Sequence, residues 1–234
     1  MKSRQRVFLK LSGEALAGSE KTGFHEETVK EVARQIQEGL AENVELGVVI
    51  GGGNFWRGRT GSEIGRNQSD QIGMLATVMN SLYVSEILRS MGVDTEIFTP
   101  FSCGGMTKLF SFDEVEKTLA SGKVAFFAGG TGHSLFSTDT AVTLRAAQMS
   151  ADSILLAKSI DGVYDSDPKQ NPKAKKYEEI SIQEIIDRQL GVMDLTASIM
   201  CMENKIPIWV FALQEPNAIL NAMKGKVTGT VVNP

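Results

Sequence analysis

Three glycine-rich segments of the chain have the residue types that hold phosphate groups. They are Ser12-Gly13, Gly51–Gly53 and Gly129–Gly132, and each follows an apolar stretch. Because glycine has no Cβ, such loops expose backbone N–H groups to an anion, and a following helix adds the positive end of its dipole. In open α/β sheets, ligands bind beyond the carboxyl ends of the strands. The three segments therefore predict a polyphosphate site at one edge of a sheet.

Three basic side chains could neutralise that phosphate. Lys10 lies inside the apolar segment that precedes Ser12, and an unpaired ammonium is costly to desolvate there. It either meets an anion or extends to solvent from an edge strand. Arg57 and Arg59 follow the triple glycine, so they either clamp a second phosphate or remain solvated in a loop.

Carboxylates form the second group of candidates. Asp139 lies at a predicted helix start, where a negative charge also favours the helix dipole. Asp161, Asp165 and Asp167 share one polar turn and either lie near a magnesium nucleotide or only solvate the turn. Asp194 interrupts apolar residues, so we expect it to have a polar partner.

The elements that must position these residues alternate between strand and helix. The expected strands are Arg6–Leu11, Leu46–Ile50, Asp94–Phe98, Lys123–Ala128, Ser153–Leu156, Ile208–Phe211 and Val227–Val232. The expected helices run from about Glu26 to Glu42, from about Asp70 to Arg89, from Ser111 to about Ala120, and over Thr138–Met149. Capping boxes at Ser111 and Ser181 each predict a helix start. This alternation predicts βαβ units and a mainly parallel sheet with helices on both faces.

Composition narrows the class of protein. The chain has 234 residues, 42% of them hydrophobic and 22% charged, with a net charge of −4. These values are typical of a globular α/β protein, and the acidic balance argues against a nucleic-acid partner. No run of 18 apolar residues is present, so we expect no membrane association. Cys103 and Cys201 lie far apart, which favours reduced thiols and a cytoplasmic location.

Common site motifs are missing. The chain has neither the P-loop pattern GxxxxGK[ST] nor the dinucleotide pattern GxGxxG. His25 and His133 are isolated, so the sequence predicts no metal site built from protein ligands. The polar segment Asp165–Lys176 is either a linker between two lobes or a mobile loop over a site.

Six motifs carry a family resemblance. They are Lys10–Leu16 (KLSGEAL), Val49–Asn54 with Arg57-Gly58, Ile72–Asn80 (IGMLATVMN), Gly130–Gly132 with Thr138-Asp139, Ile160–Tyr164 with Asp167-Pro168, and Val192–Leu195. In this order they resemble the bacterial uridylate (UMP) kinases, a branch of the amino-acid kinase family. The resemblance extends from Val7 to about Val232.

The resemblance implies a fold and an activity. The fold would be a three-layer α/β/α sandwich of the carbamate-kinase type with a mainly parallel central sheet. One domain would hold the acceptor in its first half, about 1–150, and ATP in its second half, about 151–234. The activity would be transfer of the ATP γ-phosphoryl group to UMP with Mg²⁺, giving UDP and ADP in pyrimidine nucleotide biosynthesis. The family is typically a homohexamer that GTP activates and UTP inhibits.

The resemblance also implies residue roles. Lys10, Asp139 and Asp194 would form the catalytic network. The implied ATP-binding residues are Lys10, Leu11, Ser12, Gly13, Gly53, Arg57, Lys158, Tyr164 and Asp167. The implied UMP-binding residues are Gly52, Asp70, Thr131, Gly132, His133, Ser134, Leu135, Phe136, Ser137 and Thr138.

Two segments depart from the family pattern. His133-Ser134 stands where the family usually has Asn-Pro, so the acceptor loop lacks a fixed proline φ. Lys158 stands where a threonine usually lines the ATP site, and the lysines usual near it are Leu156 and Ser159. Lys158 is therefore a candidate for a charge role.

Two other functions remain alternatives. One is a kinase of the same fold that acts on a carboxylate or carbamate, which the Ile72–Asn80 segment disfavours. The other is a non-catalytic nucleotide sensor, which Lys10, Asp139 and Asp194 disfavour. Phosphoryl transfer needs mostly positioning and charge neutralisation. A phosphate acceptor is already ionised at neutral pH and needs no general base, which fits the absence of a convincing histidine.

Overall fold

The computed structural model describes residues 4–20, 22–57, 63–226 and 228–234. The strands are β1 Gln5–Leu11, β2 Val44–Ile50, β3 Thr95–Thr99, β4 Lys108–Leu109, β5 Val124–Phe127, β6 Ser153–Lys158, β7 Glu179–Ser181, β8 Ile208–Ala212 and β9 Thr230–Asn233. The helices are α1 Gly13–Leu16, α2 Glu26–Leu40, α3 Arg66–Ser90, α4 Phe112–Ala120, α5 Thr138–Gln148, α6 Ile182–Asp187, α7 Leu195–Glu203 and α8 Ala218–Met223. A short 3₁₀ helix spans Gly104–Met106.

The described strands form one sheet in the order β4-β3-β5-β2-β1-β6-β8-β9-β7. The β8–β9 pair is antiparallel, and the other pairs are parallel. Val7 through Leu11 of β1 are all buried, as expected for a parallel strand that is covered on both faces. The edge where β1, β2, β5 and β6 end therefore gathers the loops that follow them.

Helices cover both faces of the sheet. One core cluster packs α2, α3 and α8 against the sheet, through residues such as Ile36, Leu88 and Ile219. The second packs α4 to α7 against the other face, through residues such as Val115, Val142 and Ile185. These layers confirm the predicted three-layer α/β/α sandwich with a mainly parallel sheet. No helix of the described ranges is both long and apolar enough to cross a bilayer.

The predicted elements are present with shifted ends. The longest helix begins at Arg66 rather than near Asp70, and the last strand begins at Thr230. Val227, where that strand was expected to begin, lies outside the described residues. Strands β4 and β7 are only two and three residues long, which is too short for a period-2 pattern to reveal. Helices α7 and α8 were also not predicted.

The two capping boxes have different outcomes. Ser181 caps α6, since its Oγ accepts a hydrogen bond from the backbone N–H of Glu184 at 3.0 Å. Helix α4 begins just after Ser111 as predicted, but the Ser111 side chain makes no capping hydrogen bond. The predicted start of α4 was therefore right and the predicted capping contact was wrong.

The segment Asp165–Lys176 joins β6 to β7 within the one sheet. The backbone N–H of Asp165 donates to the carbonyl of Lys175 at 3.0 Å, which closes the segment into a loop. Its first residues line a cavity described below. The structure thus favours a loop beside a site over a linker between lobes.

Candidate active site

Of the three predicted phosphate loops, Gly129–Gly132 lines a separate cavity, described below, through Gly130 and Thr131. The other two, Ser12-Gly13 and Gly51–Gly53, meet at the edge where β1, β2 and β6 end. They line a cavity of about 310 Å³, here called the phosphate cavity. Its lining residues are Lys10, Ser12, Gly13, Glu14, Gly51, Gly52, Gly53, Thr138, Ala157, Lys158 and Ser159. The two loops pack so closely that a Cβ on Gly13 would lie 2.4 Å from the Gly51 carbonyl oxygen. Glycine is therefore required at position 13 for the loops to approach.

Lys10 and Asp139 form an ion pair on this edge. The Lys10 Nζ lies 2.7 Å from Asp139 Oδ1, and Lys10 is only 9% exposed. Strand β1 is central, between β2 and β6, so Lys10 does not extend to solvent from an edge strand. Ser137 caps α5 by accepting hydrogen bonds from the N–H groups of Asp139 and Thr140. The helix start thus fixes the Asp139 carboxylate beside Lys10.

Asp194 is the N-cap of α7 and has the polar partners that its sequence position predicted. Its Oδ1 accepts from the Ala197 N–H at 2.9 Å, and its Oδ2 accepts from the Thr140 hydroxyl at 2.8 Å and from the Ser137 hydroxyl. Burial acts to raise the pKa of Asp194, but these hydrogen bonds outweigh burial and lower the pKa below its ordinary value. An ionised Asp194 therefore ties the start of α7 to the start of α5.

Lys158 ends β6 next to this pair. Its Nζ lies 4.0 Å from Asp139 Oδ2 and donates a hydrogen bond to the Val192 carbonyl. Burial lowers the pKa of Lys158 below its ordinary value, and the neighbouring Lys10 charge lowers it further, while Asp139 and Asp194 oppose the shift. Two ammonium groups therefore flank one carboxylate.

A second cavity, here called the acceptor cavity, opens on the β5 side of the phosphate cavity and has a volume of about 130 Å³. Its lining residues are Gly52, Trp56, Ser69, Asp70, Gly73, Met74, Thr77, Gly130, Thr131, His133, Phe136, Ser137 and Thr138. Asp70 accepts hydrogen bonds from the Leu135 N–H at 2.8 Å and from Arg66 Nε at 2.9 Å. One carboxylate thus holds α3 against the loop that follows β5.

A bridging cavity of about 490 Å³ joins the acceptor side to the ion pair. Its lining residues are Lys10, Arg66, Asp70, Phe136, Ser137, Thr138, Asp139, Lys158, Gly191, Val192, Met193 and Asp194. The side chains predicted for catalysis and the Asp70 predicted for the acceptor therefore face one continuous space.

The Asp161–Pro168 turn lines part of a further cavity of about 540 Å³, here called the nucleotide cavity. Tyr164 and Asp167 line it, as do Lys158 and Val210. Asp161 does not face it: it accepts from the Tyr164 hydroxyl at 2.7 Å and pairs with Lys176 at 2.9 Å. Asp161 therefore stabilises the turn.

Some predicted site residues do not line these cavities. Leu11 is fully buried in the sheet, and Arg57 is exposed and pairs with Glu14 at 2.9 Å. In the acceptor loop, Gly132, Ser134 and Leu135 do not line the cavity, and Leu135 exposes its side chain to solvent, although its N–H donates to Asp70. Arg59 lies outside the described residues.

Sequence reasoning missed several supporting residues. Asn80 donates to the Gly51 carbonyl at 2.6 Å and exchanges two hydrogen bonds with Asn54, which fixes the glycine turn. An asparagine inside an otherwise apolar helical face could have revealed this contact, because buried amides need partners. The Arg66 contact with Asp70 carried no such signal, since an exposed i,i+4 pair is common on helices.

The carboxylates of the site suit a metal ion that arrives with a phosphate ligand. Asp139 and Asp194 supply oxygen atoms to the bridging cavity, but lysine, hydroxyl and N–H donors already occupy them. No cluster of three or more His, Cys, Asp or Glu side chains that could hold a metal occurs in the part of the chain that the structure describes. Mg²⁺ usually keeps one or two carboxylates plus substrate phosphates, which fits this donor set.

Comparison with known proteins identifies the class. The model of the Amino acid kinase family matches residues 5–212. The UMP kinase from Ureaplasma parvum is 35% identical, with 99% of each chain covered and a TM-score of 0.93. The UMP kinase from Bacillus anthracis is 32% identical, with 99% of this chain and 97% of that chain covered and a TM-score of 0.94. The uridylate kinase from Archaeoglobus fulgidus is 27% identical, with 97% of this chain and 99% of that chain covered and a TM-score of 0.73.

The chain belongs to the amino acid kinase family, and it is a kinase. Its structure is similar, over nearly the full length of both chains, to bacterial UMP kinases. The predicted resemblance to that branch is confirmed.

Proposed function

We propose that this kinase transfers the γ-phosphoryl group of ATP to UMP, giving UDP and ADP. The observation that carries the proposal is the similarity to two UMP kinases at 35% and 32% identity over 99% of this chain. The arrangement of an acceptor cavity beside the Lys10–Asp139 pair is consistent with that reaction.

ATP is assigned to the phosphate and nucleotide cavities. The Ser12-Gly13 and Gly51–Gly53 loops line the phosphate cavity, where backbone N–H groups can donate to phosphate oxygens. The Gly51 N–H is excluded from this role because it donates to the Leu11 carbonyl at 2.9 Å. Tyr164 and Asp167 border the nucleotide cavity, where they can contact the base and the ribose. For ATP contacts by Leu11 and Arg57, the end of β1 would have to shift and the Arg57 side chain would have to leave Glu14 when ATP binds.

UMP is assigned to the acceptor cavity, with Gly52, Asp70 and the 131–138 loop around it. The Asp70 carboxylate can accept hydrogen bonds from both ribose hydroxyls. Its present partner, the Leu135 N–H, would then compete with the ribose for the same oxygen. In this proposal, acceptor binding therefore adjusts the loop.

To catalyse phosphoryl transfer, the protein must mainly position the two substrates and neutralise their negative charge. Lys10 lies where it can bind the transferring group, and Asp139 holds the ammonium in place. Asp194 fixes the start of α5 through Ser137 and Thr140, so it positions Asp139. Mg²⁺ bound to the ATP phosphates would supply further neutralisation. The acceptor oxygen is already ionised, so no side chain has to remove a proton.

The remaining family properties are proposed with the activity. Ile72, Leu75 and Met79 expose apolar side chains at i, i+3 and i+7 of α3, and a second copy of the chain could cover them. We assign a homohexamer, GTP activation and UTP inhibition on the family resemblance, together with a cytoplasmic place in pyrimidine nucleotide biosynthesis. The division into an acceptor half, about 1–150, and an ATP half, about 151–234, belongs to the same proposal.

A coupled assay of ADP formation tests the function. UMP, CMP, dUMP and acetylglutamate are each offered with ATP and Mg²⁺, with and without GTP. We expect turnover with UMP and none with acetylglutamate. Turnover with acetylglutamate alone would identify a carboxylate kinase. ATP and UMP binding by calorimetry without ADP formation would identify a nucleotide sensor.

A further inference from the structure

Lys158 lies where the cavities of the site meet. It lines the phosphate, bridging and nucleotide cavities, and it also borders a groove of about 450 Å³ between α1, α2 and the Leu213–Pro216 turn. Among the described residues that line these spaces, it is the one common to all four. Among the described residues, Lys10 and Thr138 are the other two that line both the phosphate cavity and the bridging cavity. Lys158 does not line the acceptor cavity itself, but it lines the phosphate cavity and the bridging cavity that leads from it toward Asp70.

The contacts of Lys158 are weaker than those of Lys10. The Lys10 ammonium is 2.7 Å from Asp139, whereas the Lys158 ammonium is 4.0 Å from the other oxygen of the same carboxylate. No other ion pair of Lys158 occurs within the described ranges. Its hydrogen bond goes to the Val192 carbonyl, which is a neutral acceptor. A phosphate oxygen would be a stronger partner, because hydrogen bonds between charged groups are roughly twice as strong as neutral ones.

The reaction creates a need for such a cation. A donor γ-phosphate and an acceptor phosphate are both negatively charged and must come within bonding distance. Lys10 is held by Asp139 at the end of a buried strand. Lys158 has a flexible four-carbon stem, so its point charge can follow a moving group better than a fixed fork of donors can.

We propose that Lys158 binds the γ-phosphoryl group of the donor and stays with it during transfer, as a second phosphate-binding ammonium beside Lys10. This inference rests on the proposed function for the placement of ATP and for the identity of the acceptor. The bond between the γ-phosphorus and the β–γ bridging oxygen breaks, and its electron pair stays on ADP. A phosphate oxygen of the acceptor forms the new P–O bond, and the Lys158 ammonium keeps its proton throughout.

The alternative is that Lys158 only tethers the loop at Val192 to the sheet. Donor affinities distinguish the two roles, because a tether affects every nucleotide alike. Lys158→Met, Lys158→Thr and Lys158→Arg are prepared with Lys117→Met as the matched control. The Lys117 side chain is 72% exposed on α4, and among the described residues its ion pair is with Glu114 across one helical turn. Its removal changes the net charge by the same amount as removal of Lys158. Calorimetry measures ATP, ADP and AMP binding without acceptor, and thermal unfolding checks the fold.

For Lys158→Met and Lys158→Thr we expect ATP affinity to fall about tenfold or more, ADP affinity less, and AMP affinity not at all. Turnover with UMP falls about 10²-fold, the usual scale for losing one electrostatic donor. Lys158→Arg recovers part of the ATP affinity, and Lys117→Met changes nothing. Equal losses for all three nucleotides, or no loss, would overturn the inference. If UMP is not the acceptor, only the turnover measurement fails, whereas the affinity series still tests Lys158.

Discussion

The two ends of the active site are built differently. At the transfer end, Lys10 and Lys158 project from the ends of central strands, and Asp139 and Asp194 sit at helix starts. Each carboxylate has partners on more than one element. The acceptor end instead consists of α3 and a loop at residues 130–137, with many of its residues half-buried or exposed.

This difference separates the chemistry from the choice of acceptor. The sheet and the helices packed on it position these strand ends and helix starts, so the backbone of the transfer end and the Lys10–Asp139 pair are in place before any ligand binds. The acceptor loop carries a left-handed residue, Leu135, and is held to α3 by the Asp70 carboxylate. In the proposed function, the transfer end therefore carries out phosphoryl transfer, and the loop can adapt to the acceptor without moving Lys10.

The largest expected effect comes from breaking the transfer end. Lys10→Met removes the ammonium that Asp139 holds, so we expect kcat to fall by at least about 10²-fold. Stopped assays with saturating ATP and UMP measure the change. Circular dichroism and thermal unfolding provide the folding control, because the substitution also leaves Asp139 without its closest partner. A folded variant with nearly normal kcat would remove Lys10 from the mechanism.

A change at the acceptor end has a smaller and more selective effect. Asp70→Asn weakens acceptance of the ribose hydroxyls, so we expect the KM for UMP to rise about tenfold while the KM for ATP stays nearly constant. Asp113→Asn, an exposed carboxylate in the first turn of α4, is the matched control. Equal changes in both KM values would contradict the assignment of Asp70.

The same contrast explains what could be predicted from sequence. Hydrophobic runs and glycines revealed β1, β2, β5 and the loops after them, because local patterns specify such strand ends. Lys10 was identifiable because a charge inside an apolar run needs a partner. The partners themselves, such as Ser137 and Thr140 on Asp194, depend on how α5 and α7 pack, and no local pattern encodes that.

Protonation of Lys158 makes the transfer end sensitive to pH. Among the described residues, Lys10 on β1, Asp139 on α5 and Asp194 on α7 are the charged groups that act on the Lys158 ammonium. Because burial lowers its pKa, Lys158 loses its proton at a lower pH than an ordinary lysine does. The value of kcat/KM for ATP reports protonation of the free enzyme. We expect it to decline as the pH rises, and we expect the decline to begin below about pH 10.4, the ordinary pKa of a lysine.

The control for this pH profile is Lys158→Met. We expect this variant to have a lower kcat/KM for ATP that does not decline over the same alkaline range. Whereas kcat/KM declines with rising pH, the contribution of Lys158 to the free energy of unfolding should increase. The folded protein releases the Lys158 proton before the unfolded chain does, so this group adds stability as pH rises toward 10.4. An alkaline limb that persists unchanged in Lys158→Met would assign it to another group.

The smallest effects belong to the backbone of the acceptor loop. Leu135 has φ 74° and is 67% exposed. A left-handed leucine costs about 1–2 kcal/mol, and glycine there costs about 0.5–1 kcal/mol in unfolded-chain entropy. Leu135→Gly should therefore change the free energy of unfolding by no more than about 1 kcal/mol.

Gly129, where β5 leaves the sheet, provides the contrast to Leu135. Its φ is also positive, at 79°, but a Cβ there would lie 2.8 Å from the Phe101 ring and 3.0 Å from Pro100. Gly129→Ala should destabilise the fold by about 2 kcal/mol or more, because left-handed strain adds to the overlap. Urea unfolding of both variants measures the difference. Equal losses would mean that the acceptor loop is as firmly fixed at its tip as at its root, which would contradict the claim that the loop can adapt to the acceptor.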